Sequence, residues 1–382
     1  MSVILPGSTI GFLGGGQLGR MAAMAARTMG YDVHVLDPEQ HCPARAIASQ
    51  TITAKWGDAE SAAKLAEGVD VVTIEIEQIP LVSLEAAERR APLRPKPQVL
   101  WIVQDRARQK EWLRDHGFPL GPFAVARSAD EATAAVRTMG ASIIKATHGG
   151  YDGRGQARVT SAEQAGPAFT GIGAPECVVE QFLSLSAELS VMVARSPSGE
   201  MRAYPPSRNH HTQGVLTWSV IPGGFEDHIV QQATEIACGI AEQLDVVGLI
   251  AVEMFLLEDG TVCVNELAPR PHNTYHHSER ACVTSQFEQL VRAVCGLPLG
   301  ETEVVRPAAI YNLLGDLWSG PLPPNFPEIL ALPGVRVHLY GKREARPGRK
   351  MGHLSACADS ADAALERVVD AYRRLSISTT PV

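Results

Sequence analysis

Residues 141–156 read Ala-Ser-Ile-Ile-Lys-Ala-Thr-His-Gly-Gly-Tyr-Asp-Gly-Arg-Gly-Gln. A short apolar run predicts a β-strand that carries Lys145, and a loop with glycine at positions 149, 150, 153 and 155 follows it. Glycines allow backbone N–H groups to approach an anion closely. A neighbouring lysine adds a movable positive charge that suits phosphate. A flexible surface loop is the alternative, but the pattern favours a phosphate-binding loop.

An apolar pattern from Glu253 to Glu266 predicts a β-hairpin that supports this interpretation. Asp259-Gly260, flanked by β-forming residues, predicts a two-residue type I′ turn. Glu258 then faces Thr261, and counting back along both strands places Glu253 opposite Glu266. Opposed carboxylates repel each other unless a cation or a shared proton lies between them, and Mg²⁺ is often held by one or two carboxylates with substrate phosphates. Unless one glutamate points to solvent from a bulged strand, the loop and the hairpin together predict ATP with Mg²⁺.

A glycine-rich turn, Gly14-Gly15-Gly16-Gln17-Leu18-Gly19, lies between a predicted strand at 8–13 and a predicted helix that ends near Thr28. With Asp37 after the next predicted strand, 31–36, it matches the dinucleotide-binding fingerprint. An NAD-dependent oxidoreductase is therefore an alternative of a different class. This fingerprint alone is weak evidence, because the same turn serves any βαβ unit that brings its backbone near a ligand.

Two glutamates end the third predicted strand, residues 69–77. Glu75 and Glu77 lie at its carboxyl end, where open α/β sheets bind their ligands. Because side chains alternate along a strand, the pattern predicts that only one of the two faces the ligand.

The rest of the chain predicts mixed helices and strands, without repeats or low-complexity tracts. A proline-rich stretch at 91–97 predicts a linker. The elements between about 127 and 190 form a small α+β module that is able to move as a lid. The other predicted elements are helices at 105–117, 129–138, 229–243, 285–295 and 361–374, and strands at 142–146, 156–159 and 176–183.

Composition and charge indicate a globular intracellular enzyme. Of the 382 residues, 45% are hydrophobic and 20% are charged, which is ordinary for such proteins. The net charge of −8 argues against nucleic acid as a partner, and no apolar run approaches the roughly 18 residues of a membrane span. The seven cysteines lack any Cys-x-x-Cys spacing, which is typical of reduced thiols. We therefore expect a cytoplasmic protein that binds neither nucleic acid nor membranes.

Four separated motifs carry a resemblance to a known family. They are Gly-Gly-Gly-Gln-Leu-Gly-Arg-Met (14–21), Gly-Gly-Tyr-Asp-Gly-Arg-Gly-Gln (149–156), Asn-Glu-Leu-Ala-Pro-Arg-Pro-His-Asn (265–273) and Arg-Pro-Gly-Arg-Lys-Met-Gly-His (346–353). The chain resembles the N5-carboxyaminoimidazole ribonucleotide synthetases, ATP-dependent carboxylases of the ATP-grasp superfamily, over essentially its whole length. The resemblance implies an ATP-grasp fold, α/β and α+β, with an N-terminal Rossmann-like pre-ATP-grasp domain, a mobile lid and a small C-terminal domain. The implied domains are 1–105, 106–300 with the lid at about 127–190, and 301–382, which completes the substrate site.

The resemblance also implies a role for individual residues. The implied ATP contacts are Arg106, Lys145, Gly150, Tyr151, Asp152, Gly153, Arg154, Gly155, Gln156, Glu180, Gln181, Phe182, Leu183, Glu188, His211, Asn265 and Glu266. The implied Mg²⁺ ligands, for one or two ions, are Glu253 and Glu266. The implied catalytic residues are Arg270, His272 and Asn273, which would bind bicarbonate, and Lys145. The implied ribonucleotide contacts are Gln17, Leu18, Glu75, Tyr151, Asp152, Arg154, Lys342, Arg349 and Lys350.

One position departs from the superfamily pattern. Many members place an asparagine two residues after the second metal-binding glutamate, and this chain has Ala268 there. A metal ion would then depend more on phosphate oxygens and water, which leaves the number of ions open.

The implied reaction starts with phosphorylation of bicarbonate by ATP, which gives carboxyphosphate. The 5-amino group of 5-aminoimidazole ribonucleotide then captures the carboxyl carbon, either directly or after release of trapped CO₂. The nearest alternative is a formate-dependent glycinamide ribonucleotide transformylase of the same fold. Biotin carboxylases are longer and lack the four motifs, and a non-catalytic nucleotide sensor would not need both carboxylates and the arginine. Family members are commonly dimers, so the resemblance implies a homodimer.

Overall fold

The structure, a computed structural model, describes residues 3–149, 155–318 and 324–377. Within these ranges the strands form two four-stranded sheets and one nine-stranded sheet. None of the helices in these ranges combines the length and the apolar character needed to cross a bilayer.

The N-terminal unit is a parallel sheet with helices. Its strands are β1 (Thr9–Leu13), β2 (Asp32–Asp37), β3 (Gln50–Thr53) and β4 (Val71–Ile74), and its helices are α1 (Gln17–Thr28), α2 (Ala59–Glu67), α3 (Leu81–Glu88) and α4 (Pro97–Val103), with a 3₁₀ turn at Pro43–Ala46. The strand order is β3-β2-β1-β4. β1 pairs with both β2 and β4, and its apolar side chains Ile10 and Phe12 are buried. The carboxyl ends of β1 and β4 therefore lie side by side, which places the glycine turn next to Glu75.

Two predictions about this unit are wrong. The strand predicted at 69–77 is β4, which ends at Ile74 because the chain bends at Glu75, and the unit has a further strand, β3, that was not predicted. The stretch 91–97 is not a free linker, since Leu93 pairs with Val72 and is buried, and Pro97 begins α4. Prolines exclude a regular helix or strand interior there, but they do not prevent packing against the sheet.

A small antiparallel sheet follows, with the strand order β5-β8-β6-β7. Its strands are β5 (Phe123–Ala126), β6 (Ser142–Ala146), β7 (Gln156–Val159) and β8 (Cys177–Gln181); the helices are α5 (Arg106–Asp115), which precedes the sheet, α6 (Ala129–Met139) and α7 (Ala162–Ile172). β6 and β7 lie at the predicted positions, and the strand predicted at 176–183 is shorter. The helix α7 was not predicted because Gly166 and Pro167, which disfavour a helix interior, lie in its middle.

The nine-stranded sheet joins the middle of the chain to its C-terminal part. Its order is β14-β13-β9-β11-β12-β15-β17-β16, with β10 paired to β9. The strands are β9 (Leu185–Arg195), β10 (Met201–Ala203), β11 (Ser207–Thr212), β12 (Val215–Ile221), β13 (Gly248–Leu257), β14 (Val262–Ala268), β15 (Ala308–Leu314), β16 (Val335–Leu339) and β17 (Lys350–Cys357); the helices are α8 (Asp227–Gln243), α9 (Ser278–Ala281), α10 (Gln286–Cys295), α11 (Phe326–Leu330) and α12 (Ala361–Ile377), with 3₁₀ turns at Asn273–Tyr275 and Gly315–Trp318. The lid was predicted to extend to about residue 190, but β9 from Leu185 belongs to this large sheet, so the small sheet ends at Gln181.

The hairpin β13–β14 differs from its predicted form in two compensating ways. Leu257 N–H donates to the carbonyl of Thr261, so the turn has three central residues and not two. Of those three, only Gly260 has a positive φ, of 85°, which excludes a type I′ turn. The resulting shift of one residue is reversed by a bulge at Asn265, and Glu253 still pairs with Glu266.

Candidate active site

Glu253 and Glu266 face each other in a cavity where all parts of the fold meet. Direct pairing places their side chains on the same face of the hairpin, as predicted. The cavity is also lined by Gln104 from the N-terminal unit, Thr147 after β6 and Lys350 from β17. The cavity therefore forms only when the hairpin, the N-terminal unit, the small sheet and the C-terminal strand β17 are packed together.

Basic and polar groups surround the two carboxylates. Arg106 Nη1 lies 3.0 Å from Glu266 Oε2, and His272 Nε2 lies 3.4 Å from Glu253 Oε1. Burial raises the pKa of Glu253 and lowers the pKa of His272 well below its ordinary value, so the imidazole is neutral. Two hard carboxylate oxygen donors in one half-buried site fit Mg²⁺ better than a softer metal.

Arg270 reaches the same cavity, and its guanidinium is held by Glu77. Nη2 donates to Glu77 Oε1 over 2.9 Å, and Nε donates to Glu77 Oε2. Although burial favours the neutral acid, the guanidinium holds the pKa of Glu77 below its ordinary value. As predicted, only one of Glu75 and Glu77 lines this cavity, but it is Glu77 and not Glu75, whose carboxylate lies in the glycine turn. The sequence thus placed Glu77 at the ligand-binding edge but assigned the contact to Glu75, and the role of Glu77 as the partner of Arg270 was not predicted.

Lys145 lines a second cavity of about 440 Å³ together with residues 180–183 and Phe255. Lys145 Nζ lies 3.2 Å from Glu180 Oε2, and Lys110 Nζ lies 3.3 Å from the same oxygen. Although burial opposes ionisation, the two ammonium groups hold the pKa of Glu180 below its ordinary value. Sequence reasoning placed Lys110 in a helix but gave it no role, although a lysine one turn from Arg106 on the same helix was visible as a signal.

His211 and Glu188 form a hydrogen-bonded pair at the edge of the first cavity. His211 Nδ1 contacts Glu188 Oε2 across the adjacent strands β11 and β9. Burial opposes the charged imidazole, but the hydrogen bond to Glu188 raises the pKa of His211 overall. Both residues were predicted to contact ATP, and the structure brings them together beside the carboxylate pair.

The glycine turn before α1 surrounds a carboxylate of the protein itself. Glu75 accepts hydrogen bonds from the backbone N–H groups of Gly16 and Leu18, at the N-terminus of α1. A Cβ at Gly14 would lie 2.6 Å from Glu75 Cβ, so the close approach that glycine permits serves this side chain. Asp37 likewise accepts from Gly15 N–H over 2.8 Å. A dinucleotide pyrophosphate needs the same N–H groups, so the structure argues against the NAD alternative.

A polar chain links the glycine turn to the C-terminal part. Lys342 Nζ donates to Gln17 Oε1 over 2.8 Å, Gln17 Nε2 donates to Asn273 Oδ1 over 2.8 Å, and Asn273 Oδ1 also contacts His276 Nε2 at 2.9 Å. Burial lowers the pKa of Lys342 to about 8. Three predicted site residues from three segments are therefore in direct contact.

The remaining predicted residues lie in several places. Leu18 is buried in the core of the N-terminal unit, so only its backbone faces the turn. Arg349 contacts Glu39 at 3.4 Å, outside the cavity, whereas Lys350 lines the cavity. The others are Gly155, Gln156 (opposite Lys145 on β7) and Asn265 (the bulge residue of β14), whereas Gly150, Tyr151, Asp152, Gly153 and Arg154 lie outside the described residues.

A lysine-bearing antiparallel sheet above a hairpin with two paired carboxylates, set beside a Rossmann-like unit, defines an ATP-grasp enzyme. The family models agree: the ribonucleotide synthetase preATP-grasp domain matches residues 7–104, the ATP-grasp domain matches 111–287, and the phosphoribosylaminoimidazole carboxylase C-terminal domain matches 308–367.

Similar proteins narrow the class to one family. N5-carboxyaminoimidazole ribonucleotide synthase of Bacillus subtilis is 39% identical over 97% of this chain and 97% of its own. The N5-carboxyaminoimidazole synthetase of Staphylococcus aureus, solved with ADP, is 33% identical with a TM-score of 0.91 over 98% and 99% of the two chains. The synthase of Aspergillus clavatus, solved with ADP and 5-aminoimidazole ribonucleotide, is 29% identical with a TM-score of 0.88 over 96% and 99%. The chain belongs to the N5-carboxyaminoimidazole ribonucleotide synthase family and is an ATP-dependent ligase of purine biosynthesis.

This result confirms the family, fold class and enzyme class predicted from the sequence. It also decides between the alternatives. The C-terminal part matches a phosphoribosylaminoimidazole carboxylase domain, which leaves no support for a glycinamide ribonucleotide transformylase, a biotin carboxylase or an NAD-dependent oxidoreductase.

Proposed function

We propose that this chain carboxylates the 5-amino group of 5-aminoimidazole ribonucleotide with bicarbonate, through carboxyphosphate. In the first step a bicarbonate oxygen forms a bond to the γ-phosphorus of ATP, and the bond from that phosphorus to the bridging oxygen of ADP breaks. In the second step the amine forms a C–N bond to the carboxyl carbon, the bond to the phosphate oxygen breaks, and the amine loses a proton. One observation carries this proposal: Arg270, the paired carboxylates and the end of the Lys342–Gln17–Asn273 chain line a single cavity.

The two cavities divide the ATP between them. In the second cavity the adenine would pack against Phe182 and Leu183, next to backbone groups of residues 180–183. The ribose hydroxyls would bind Glu188, whose carboxylate is held by His211. The phosphates would extend past Lys145 and Arg106 to the first cavity, and the loop at 150–156 would also bind them. These basic side chains already lie against carboxylates, so phosphate would exchange one anionic partner for another.

Glu253 and Glu266 would hold Mg²⁺, which, when bound, neutralises charge on the transferring phosphoryl group. Asn265 lies beside this pair as the bulge residue, and Ala268 offers no side-chain ligand. His272 and Arg106, which line the same cavity, would orient the two carboxylates. The pair would hold one or two ions.

Arg270, His272 and Asn273 would hold bicarbonate. The guanidinium of Arg270 is planar and fixed by Glu77, so it presents a rigid donor edge to a small oxyanion. His272 is neutral, so it adds a hydrogen-bonding group to the site but no charge. The Asn273 side chain contacts Gln17 and lines the cavity, which supports a carboxyl donor bound next to the ribonucleotide.

The ribonucleotide would lie between the glycine turn and the C-terminal strands. Lys342 and Lys350 supply positive charge near the cavity, and Gln17 connects Lys342 to Asn273. Arg349 lies farther out, where a 5′-phosphate would displace the weak contact with Glu39. Both oxygens of Glu75 already accept backbone hydrogen bonds, so the role of Glu75 would be to hold the conformation of the glycine turn, and the turn itself would contact the ligand.

We further propose the domains 1–105, 106–300 and 301–382, a cytoplasmic location and a homodimer. All seven cysteines are free thiols in the structure, which supports a reducing compartment. The dimer rests on analogy with the family, and its mass in solution can be measured directly.

Release of ADP tests the proposed function. With ATP, Mg²⁺ and bicarbonate present, we expect ADP release to rise when 5-aminoimidazole ribonucleotide is added and to fall when bicarbonate is removed. Formate with glycinamide ribonucleotide serves as the control pair, and it should give no product. ADP release that depends on formate but not on bicarbonate would overturn the proposal.

The pKa of Lys342 leads to a second prediction, about pH. Because burial lowers this pKa to about 8, the ammonium group loses its proton above that pH, and attraction to the ribonucleotide phosphate weakens. We expect the KM for the ribonucleotide to rise between pH 8 and pH 9.5, whereas the KM for ATP stays nearly constant. In Lys342→Arg the guanidinium stays charged, so the rise should disappear. A ribonucleotide KM that does not change over this range in the wild type would contradict the assignment.

A further inference from the structure

Gln286 is a wholly buried residue that holds the backbone of the bicarbonate-site segment from behind. It is the first residue of α10 and has a relative exposure of 0%. Its Oε1 accepts from His272 N–H over 2.8 Å, and its Nε2 donates to the His272 carbonyl over 3.0 Å. One side-chain amide thus bonds to both the backbone N–H and the backbone carbonyl of His272, as a neighbouring strand would.

The same amide also fixes the proton position on His276. The orientation of Gln286 is unambiguous because a peptide N–H only donates and a carbonyl only accepts. Its second N–H then points to His276 Nδ1 at 3.3 Å, so this ring carries its proton on Nε2 and donates to Asn273 Oδ1. The His276 ring is held in place by stacking on Phe287 and His353, at 5.7 and 4.8 Å between centroids.

The orientation of the Asn273 amide also follows independently from Lys342, at the other end of the hydrogen-bonded series Lys342–Gln17–Asn273. Lys342 Nζ can only donate, so Gln17 presents Oε1 to it and turns its Nε2 toward Asn273. Two donors, Gln17 Nε2 and His276 Nε2, therefore meet at Asn273 Oδ1. The Nδ2 group of Asn273 is the amide atom left for a ligand in the cavity.

We propose that Gln286 is a positioning residue, which fixes the His272 backbone and, through His276, directs the Asn273 amide nitrogen toward the carboxyl group that is transferred. This proposal rests on the proposed function, in which His272 and Asn273 hold bicarbonate. Gln286 touches neither substrate. Its loss frees the His276 ring and leaves Gln17 as the one described donor that still holds Asn273 Oδ1. Asn273 then turns its oxygen toward the anionic carboxyl group more often, which repels that group and separates ATP cleavage from capture by the amine.

The chain contains a matched control one turn further along α10. Gln289 is also 0% exposed, and it pairs with both sides of Gly300: Nε2 donates to the Gly300 carbonyl over 2.9 Å, and Oε1 accepts its N–H over 2.8 Å. Gly300 does not line the cavity. Gln286→Leu and Gln289→Leu thus remove the same kind of buried interaction from the same helix, and only the first is connected to the site.

The experiment measures ribonucleotide consumed per ADP released, in full-length wild type, Gln286→Leu and Gln289→Leu. We expect this ratio to fall by at least about tenfold in Gln286→Leu, since small displacements of positioned groups have effects of this size or larger. In Gln289→Leu we expect the wild-type ratio, although both variants melt at lower temperatures. Equal ratios in all three proteins would overturn the proposal.

Two further outcomes are informative. If Gln286→Leu does not fold, Gln286→Glu keeps the side-chain volume and the acceptor for His272 N–H. A buried, protonated carboxyl has at most one donor, so it cannot serve both the His272 carbonyl and His276 Nδ1. A wild-type ratio in that variant would overturn the proposal, and a low ratio would support it. If the wild type itself consumes no ribonucleotide with bicarbonate, the proposed function fails. That result can be told apart from failure of the Gln286 proposal alone. In the latter case the wild type and the variants all consume the same amount of ribonucleotide per ADP released.

Discussion

Replacing Glu266 with glutamine is expected to reduce ADP formation by about 10²–10³-fold, the usual effect of removing one preorganised electrostatic contact. Glutamine keeps the shape of the side chain but removes the negative charge, so the site loses one of its two carboxylate ligands for Mg²⁺. The change also leaves Arg106 without the carboxylate that now lies 3.0 Å from it. The Arg106 guanidinium, no longer paired with a carboxylate at position 266, then competes with the metal for the ATP phosphates.

Asp259→Asn is the matched control, because it makes the same chemical change on the exposed turn of the same hairpin. Its Oδ1 is still available to accept from Thr261 N–H, so the turn should remain intact. Thermal melting gives a second readout: ATP with Mg²⁺ should raise the melting temperature of the wild type and of Asp259→Asn, but not of Glu266→Gln. A Glu266→Gln enzyme with unchanged ADP formation would mean that the paired carboxylates are not the metal site.

The second large effect is expected from Arg270→Lys. Lysine offers a compact ammonium group, which cannot reproduce the planar, two-donor contact of the guanidinium. The existing contact with Glu77 would be reduced to a single hydrogen bond, so the cation would lose its fixed position. We expect bicarbonate-dependent turnover to fall by about 10²-fold or more, with a raised KM for bicarbonate and a nearly unchanged KM for ATP.

Arg195→Lys provides the control for this substitution. Arg195 Nη1 pairs with Asp245 at 2.8 Å, and its side chain is 14% exposed, close to the 16% of Arg270. It lies at the far end of β9 from the site, so turnover should be unaffected. Steady-state rates at varied bicarbonate decide the matter: wild-type bicarbonate kinetics in Arg270→Lys would remove this arginine from the bicarbonate site.

The pairing of Glu253 with Glu266 was predicted correctly by a count that contained two errors. The turn has one residue more than the sequence pattern indicated, and the bulge at Asn265 reverses the shift. Bulges depend on the neighbouring strands and on the side chains that must reach the site, so a sequence pattern cannot place them. The prediction succeeded because the two errors, of one residue each, cancel.

Local signals predicted most elements, and tertiary contacts account for what was missed. Regular strands such as β6 and β7 lie at the predicted positions, because apolar runs bounded by glycine are a local property. Glu77 and Gln286 carried no signal of this kind. Their partners, Arg270 and His272, lie 193 and 14 residues away, and only the folded chain brings the groups together.

The carboxylate of Glu75 inside the glycine turn also bears on protein engineering. A designer who wished to install a nicotinamide cofactor on this unit would have to change position 75 before any loop glycine, since the acid side chain and a pyrophosphate would compete for the same helix N-terminus. A glycine signature therefore indicates that a group approaches the backbone closely, and in this protein that group is a side chain of the same polypeptide.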